Sequence, residues 1–339
     1  MSFDILLFLA GLALAGLTLR DVFDTVVVPG GSRASLRVTH RLRLALLPLW
    51  KALRGRKRGI SGAFAPVILV SSFIIWMSFL ALGFGLMAYA TRDHFQPPLR
   101  SFGDAVFLAG SSLVTVGLSE SNPFGSGRWI ILAAGFCGLG VMTMAVTYLL
   151  EVQSGISRRD TGIIKLNTSA GEPPCALTLL ERFAAIRNRD ELEETLKEGR
   201  NWCATVRQSH SAHPSLIYFQ SVGTGAGWPA ALGAMLDLAL IAEHLIDDDG
   251  LYGAAVLLRE EGARMARELA LIIGLKPAAP RSAGPELDQL AERLKTSGYA
   301  LRADPNYLAM AKQRADYMSC VDALAEHLGR PTAVLIRQN

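Results

Sequence analysis

The feature that most constrains this chain is a pair of long runs without a charged side chain. Ala65–Ala90 contains no Asp, Glu, Lys or Arg across its 26 residues, and Trp129–Leu150 contains none across 22. About 20 apolar residues in a helix span the roughly 30 Å hydrocarbon core of a bilayer. A third apolar run, Ile5–Leu19, precedes both. The sequence therefore predicts three transmembrane helices, which excludes a purely soluble enzyme and also a transporter of about ten spans.

The distribution of charge predicts the orientation of these spans. Residues 1–150 hold 13 Lys and Arg against 6 Asp and Glu, and ten of the basic residues lie between positions 20 and 62. Because basic loops stay in the cytoplasm, we expect the N-terminus outside and the C-terminal domain inside. Arg33–Arg58 alternates leucines with basic residues, which is typical of an amphipathic helix that contacts anionic lipid on the inner leaflet. We expect no nucleic-acid partner, because the positive charge is confined to this segment.

The segment between the last two spans is neutral and partly apolar. Residues 91–128 carry three basic and three acidic side chains. Within them, Phe102–Val116 is apolar enough to enter a membrane, but its 15 residues are too few to cross one. Irregular backbone at membrane depth is tolerated only when it is buried in protein or lines a water-filled cavity. The pattern indicates either a re-entrant helix and loop or an amphipathic helix on the outer surface.

Residues Ser101–Phe107 and Thr115–Pro123 resemble the pore region of two-span potassium channels. They read SFGDAVF and TVGLSESNP, against a family pattern of S-F-x-D-A-x-Y/F followed by T-V-G-Y-G-D-x-x-P. The resemblance covers roughly residues 65–152. It implies a re-entrant pore helix and a selectivity-filter loop between the second and third spans. Together with the three apolar runs and the helical spacing of the C-terminal half, this predicts an all-α membrane protein with three transmembrane helices and a mainly α-helical cytoplasmic domain.

The resemblance also implies where the ion binds. In such filters backbone carbonyls replace the hydration shell of a cation, and one loop per chain implies four chains around one pore. Two positions depart from the family: Leu118 replaces Tyr, and Ser119 replaces a second Gly. Because Ser resists positive φ by roughly 1–2 kcal/mol, we expect the outer end of the filter to differ in shape. The implied ion-binding residues are Thr115, Val116, Gly117, Leu118 and Ser119, flanked by Asp104 and Glu120, with K⁺ in the filter and no other cofactor or metal.

Small and polar residues form a stripe along the third span. They recur at intervals of three and four, so they share one helical face. This face can line a wet cavity, in which Glu151 would attract cations at the cytoplasmic mouth. Alternatively, the hydroxyls bond to their own helix and the small residues pack against another helix. The predicted pore-lining residues are Gly140, Thr143, Thr147 and Glu151.

The chain divides into four predicted segments. Residues 1–62 hold the first span and the basic segment, residues 63–157 the pore domain, residues 158–174 a linker, and residues 175–339 a helical cytoplasmic domain. Apolar residues spaced by three or four predict five helices in that last segment. The predicted helices are Cys175–Glu198, Trp228–Asp247, Leu251–Ile273, Glu286–Thr296 and Pro305–Leu328.

Two motifs in the cytoplasmic segment have alternative interpretations. Leu216–Phe219 followed by Gly223, Gly225 and Gly227 could be a strand entering a phosphate-binding turn, although a glycine-rich start of a helix fits the spacing better. His210 and His213 could hold a metal, but no Cys or acidic residue lies nearby, which favours a structural pair. The stretch from Asn201 to Asp237 is similar to the C-terminal region of bacterial ion-channel-like proteins.

These observations predict a homotetrameric cation channel of the bacterial inner membrane that prefers potassium and is gated or assembled by its cytoplasmic domain. The alternatives are a non-selective cation channel and a non-conducting membrane sensor or scaffold with the same pore fold. We predict no enzymatic activity, because no nucleophile and base occur in a catalytic arrangement.

Overall fold

The computed structural model describes residues 2–28, 38–53, 62–221, 225–278 and 284–337. Of the residues that it describes, 79% are helical, and the chain divides into two compact units, Met1–Val152 and Gln153–Asn339. The all-α class predicted from the sequence is confirmed.

Over its described residues, the N-terminal unit contains five α-helices and one short sheet. Three of its helices are long and apolar enough to cross a membrane, counted over the described ranges, as the uncharged runs predict. Strands β1 (Phe95–Gln96) and β2 (Asn122–Pro123) pair antiparallel. The helices are α1 (Ser2–Val26), α2 (Val38–Leu53), α3 (Phe64–Ala90), α4 (Phe102–Leu113) and α5 (Ser126–Ala170), of which α5 continues into the second unit.

Helix α1 packs closely on α3 through glycines. A Cβ atom on Gly11 would lie 2.4 Å from the carbonyl oxygen of Gly83, and one on Gly83 would lie 3.0 Å from that of Gly11. Small residues of this kind let membrane helices approach backbone to backbone. We infer that α1 is a fixed part of the membrane unit, because only the absence of side chains permits this spacing.

A buried carboxylate joins three helices of the N-terminal unit. Asp21 of α1 is fully buried and accepts hydrogen bonds from the Trp76 indole of α3 at 2.8 Å and from the Val38 backbone N–H of α2 at 3.2 Å. A carboxylate inside protein is tolerated when donors surround it in this way. Trp50 of α2 stacks on Phe64 with 4.9 Å between ring centroids. Both ends of α2 are therefore attached to the transmembrane helices.

The C-terminal unit surrounds one buried helix. Residues 227–243 of α8 are all buried, and Asp237 within it accepts from Arg314 at 2.9 and 3.0 Å and from the Tyr317 hydroxyl at 2.6 Å. Because each oxygen of this buried carboxylate has a donor, the charge is compensated. The helices of this unit are α6 (Ala176–Ile186), α7 (Arg189–Ala212), α8 (Gly227–His244), α9 (Asp249–Ile272), α10 (Gly284–Thr296) and α11 (Tyr307–Leu328).

The structure differs from the predicted elements at three places. Residues 158–170, predicted as a linker, continue α5, because their apolar positions Ile163 and Leu166 are buried within the second unit. The predicted helix Cys175–Glu198 is two helices, since Arg187 has a φ of 52° and Asn188 caps α7. Pro214–Tyr218 forms a 3₁₀-helix and not a strand, so the phosphate-binding turn has no strand before it; Gly223 lies outside the described residues.

The His210 imidazole is buried among protein groups. It lies 3.2 Å from the Ser209 hydroxyl and 3.5 Å from Arg159. Burial, with the Arg159 charge as a second cause, holds the pKa of His210 well below its usual value, so this ring is neutral at pH 7. Within the ranges the structure describes, no group of three His, Cys, Asp or Glu could hold a metal ion.

We expect Asp248→Ala to lower the free energy of unfolding of the C-terminal unit by about 1 kcal/mol. Asp248 caps α9 by accepting from the backbone N–H of Gly250 at 2.9 Å, and both its oxygens bind Arg189. The hydrogen bonds from Arg189 lower the pKa of Asp248 below its usual value, so this stabilisation is present at neutral pH and is lost as the pH falls through the lowered pKa. Thermal unfolding followed by circular dichroism measures the loss.

Asp248→Asn is the matched control for this prediction. The amide keeps an acceptor for the helix cap and loses only the charge, so we expect a smaller loss of stability that no longer changes at acidic pH. Equal losses in the two variants would show that the ion pair, and not the cap, stabilises this end of α9.

Candidate functional site

The loop between α4 and β2 presents its side chains at the surface of a single chain. Helix α4 is only 12 residues long and ends at Leu113, after which residues 114–120 are all exposed. The side chains of Val116 and Leu118 are each 59% exposed. Two apolar residues at neighbouring loop positions are unusual on a free surface, so this loop is suited to contact further protein.

The two ends of α4 position this loop. At its start, Ser101 and Asp104 form a reciprocal capping box, in which the Ser101 hydroxyl accepts from the Asp104 N–H at 3.1 Å and the Asp104 carboxylate accepts from the Ser101 N–H at 3.0 Å. This arrangement satisfies two N–H groups that the helix leaves open. Near its end, a Cβ atom on Gly138 of α5 would lie 1.9 Å from the Leu113 carbonyl oxygen. Backbone contact with α5 therefore sets the depth at which the loop begins.

Ser111, in the last turn of α4, holds the loop from behind. Its backbone carbonyl accepts from the N–H groups of Val116 at 2.9 Å and Gly117 at 3.1 Å. Its buried hydroxyl lies 2.9 Å from the Leu108 carbonyl oxygen and 2.8 Å from that of Leu118. The Leu118 carbonyl is therefore engaged by its own subunit in this structure. Sequence reasoning did not identify Ser111, since nothing in its neighbours separates it from an ordinary helix serine.

The loop backbone has two residues in the left-handed region. Gly117 has a φ of 71°, which glycine adopts freely, and Thr115 has a φ of 58°, which is rare for a β-branched residue. The Thr115 N–H donates to the Ser112 carbonyl at 3.0 Å. A left-handed L-residue costs roughly 1–2 kcal/mol, and the hydrogen bonds around Ser111 and Ser112 offset this cost.

Ser119 departs from the family pattern in conformation as well as in type. Its φ is not positive, in agreement with the expected resistance of serine to that region. The Ser119 hydroxyl donates to the Ser121 carbonyl at 2.7 Å and accepts from the Ser121 N–H at 3.0 Å. The outer end of the loop is therefore closed locally by a side chain. Glu120 beside it is exposed.

The predicted stripe on α5 is exposed in one chain. Thr143, Thr147 and Glu151 are exposed, and a Cβ atom on Gly140 would meet nothing within 4 Å. The Thr143 hydroxyl donates to the Leu139 carbonyl at 2.9 Å, and that of Thr147 donates to the Thr143 carbonyl at 3.1 Å. The threonines thus bond to their own helix, as one of the two sequence interpretations expected, and they still lie on an open face.

Part of the chain is similar to a known protein family. Residues 67–154, from within α3 to within α5, match a family model described as "Ion channel". The match includes α4, the loop and the stripe on α5. No curated protein and no solved structure matches the chain significantly.

Proposed function

We propose that this chain is one subunit of a homotetrameric cation channel that prefers K⁺, because residues 67–154 match the family model described as "Ion channel". Backbone carbonyls of Thr115, Val116, Gly117, Leu118 and Ser119 form the ion path, with K⁺ as the permeating ion. The α5 face of Gly140, Thr143, Thr147 and Glu151 lines the inner cavity. Asp104 and Glu120 flank the outer entrance, and the helical C-terminal unit gates or assembles the pore.

The observation that carries this proposal is the attachment of the exposed loop to a short capped helix. The Ser111 carbonyl binds two consecutive N–H groups, those of Val116 and Gly117. Because the N–H groups of these residues are held by their own subunit, their backbone carbonyl groups can turn toward the central axis of the proposed tetramer. The loop of one chain cannot enclose an ion, which supports an assembly of four copies.

The experiment that tests the proposal is cation flux from proteoliposomes that hold the purified full-length chain. We expect K⁺ flux to exceed Na⁺ flux by about tenfold or more, a discrimination of about 1.4 kcal/mol. Equal flux of the two ions would contradict K⁺ preference and favour a non-selective channel. Tetrameric protein without flux of either ion would contradict the channel proposal.

A non-conducting sensor or scaffold is the second candidate, and two contacts favour it. The Leu118 carbonyl is occupied by the Ser111 hydroxyl, and Ser119 is bonded to Ser121. In this arrangement the Leu118 carbonyl is engaged within the subunit, and the Ser119 hydroxyl closes the outer end of the loop. We expect the conducting form to be one in which the Leu118 carbonyl is released from Ser111, and a chain in which it stays bound would act as the sensor or scaffold.

We expect Ser111→Ala to increase K⁺ flux about fivefold. Removing the hydroxyl frees the Leu118 carbonyl from a hydrogen bond worth about 1 kcal/mol, which corresponds to that factor in an equilibrium constant. The flux assay above measures the change. Ser112→Ala is the control, because the Ser112 contribution to the loop is its backbone carbonyl. A decrease of flux in Ser111→Ala would show instead that the hydroxyl supports the conducting form.

We further propose that α2 lies on the inner leaflet of the bacterial plasma membrane, with the N-terminus outside and the C-terminal unit in the cytoplasm. Leu44 and Leu49 of α2 are about half exposed, and Arg41 and Lys51 are exposed beside them. An apolar surface next to basic side chains suits anionic lipid. The attachment of α2 to Asp21 and Phe64 places this surface beside the transmembrane helices.

Neutralising Arg41, Arg43 and Lys51 to Gln should weaken association with anionic lipid about 100-fold. Each basic side chain near an anionic surface contributes about 1 kcal/mol, so three contribute about 3 kcal/mol. Mass spectrometry of the phosphatidylglycerol retained by the purified protein measures the effect. The control replaces Arg100 and Arg128, which flank the loop, and should retain lipid at the wild-type level. Equal retention by both variants would count against an inner-leaflet role for α2.

A further inference from the structure

A cavity of about 350 Å³ lies in the C-terminal unit between α9 and α11. A space of this size accommodates a small molecule. Its wall is mainly polar, so a polar occupant suits it. None of its lining residues belongs to the pore loop or to α5. They include Arg259, Arg264 and Arg267 from α9 and Gln313, Asp316 and Tyr317 from α11.

Five lining side chains make hydrogen bonds within the unit. The Arg259 guanidinium donates to both oxygens of Glu243 at 2.5 and 3.2 Å. Because Arg259, Gln313 and Tyr317 are held by partly or fully buried groups, a ligand would lose little free energy in ordering these three side chains. The other pairs are Arg267 with Asp316, Gln313 with His244, and Tyr317 with Asp237.

Two further charged residues line the cavity wall. Glu260 and Arg264 both line the cavity and are exposed, and neither makes an ion pair with any residue that the structure describes. The charge of Arg259 is balanced by Glu243, and that of Arg267 by Asp316. The cavity thus offers one carboxylate and one guanidinium, one helical turn apart on α9, beside a fixed polar wall.

We propose that this cavity binds a small zwitterion of the amino-acid class, with its carboxylate on Arg264 and its ammonium on Glu260. A guanidinium binds a carboxylate through two parallel hydrogen bonds, and a carboxylate binds an ammonium through charge-assisted ones. The remaining volume, bounded by Gln313 and Tyr317, holds a polar side chain. The proposal does not rest on ion conduction, because binding is measured on the protein in detergent.

The test measures the melting temperature of the full-length protein with three related ligands. L-glutamine carries both charges, N-acetyl-L-glutamine lacks the ammonium, and L-glutaminamide lacks the carboxylate. A ligand that binds only the folded state raises the melting temperature in a saturable manner. We expect glutamine to do so at concentrations about tenfold lower than either analogue. No saturable rise with glutamine, or equal rises with all three ligands, would overturn the proposal.

Variants assign the two charges separately. Arg264→Gln should weaken glutamine about tenfold and bring it level with glutaminamide, and Glu260→Gln should bring it level with the N-acetyl analogue. Both replaced side chains are exposed and lack ion pairs, so we expect the variants to fold as the wild type does. Lys312→Gln is the control, because Lys312 is an exposed neighbour of Gln313 outside the cavity wall. Wild-type ligand preferences in Arg264→Gln would contradict the assignment.

Discussion

Gly117→Asp should reduce K⁺ flux about 100-fold, to the leak of protein-free vesicles, while the protein still assembles. Gly117 has a φ of 71°, and any side chain there adds roughly 1–2 kcal/mol of backbone strain to an exposed loop. In the proposed tetramer the substitution also adds four carboxylates to one narrow path. A 100-fold loss corresponds to about 2.7 kcal/mol, which strain and charge together account for.

Gly103→Asp is the matched control for this prediction. It introduces the same side chain 14 positions earlier, at an exposed site in the first turn of α4, where the nearest atom to an added Cβ is the Ser101 hydroxyl oxygen at 3.5 Å. An acidic residue in the first turn of a helix is favourable, so flux should stay near the wild-type value. If both variants lost flux equally, the effect would come from charge at the outer surface and not from the loop path.

Gly138→Ala should destabilise the N-terminal unit by about 3 kcal/mol. The added methyl would lie 1.9 Å from the carbonyl oxygen of Leu113 and 2.6 Å from its Cα atom. These are backbone atoms at the end of α4, so they move only if the helix moves, and overpacking of this kind is costly. Thermal unfolding in detergent measures the loss, and flux should fall because the loop begins at Leu113.

The control for Gly138→Ala lies two residues along the same helix. An added Cβ on Gly140 meets nothing within 4 Å, and alanine is favoured over glycine inside a helix by up to about 1 kcal/mol. We therefore expect Gly140→Ala to leave stability unchanged or slightly raised. Destabilisation in both variants would place the cause in a general need for helix flexibility and not in the contact with Leu113.

The elements that follow from local composition could be predicted from the sequence. The uncharged run Ala65–Ala90 corresponds to α3 (Phe64–Ala90), and the apolar segment beginning at Phe102 corresponds to α4. Hydropathy marks these because the bilayer demands an apolar surface along the entire helix. Helix α5 continues beyond Leu150 to Ala170. In this last part only one face is apolar, because Ile163 and Leu166 pack in the core of the second unit, so the hydropathy of the sequence falls before the helix ends.

The contacts that shape the candidate site could not be predicted in this way. Asp21 accepts a hydrogen bond from the indole of Trp76, which lies 55 positions further along the chain. No sequence pattern identifies the partner of a carboxylate in an apolar helix. Ser111 reaches the Leu118 carbonyl only after the chain reverses at Thr115, whose φ of 58° contradicts the usual preference of a β-branched residue. Tertiary structure determines both.

The hydroxyls of Thr143 and Thr147 give the wall of the proposed cavity hydrogen-bond acceptors and no donors. Each has a single proton, and each donates that proton to a carbonyl of its own helix. What these side chains can offer to water or to an ion is therefore lone pairs without protons. Such a wall acts as a Lewis base: it can solvate a cation directly, whereas an anion finds no donor there. In the proposed channel, the α5 face would therefore favour cations over anions in addition to any selection by the carbonyls of the loop.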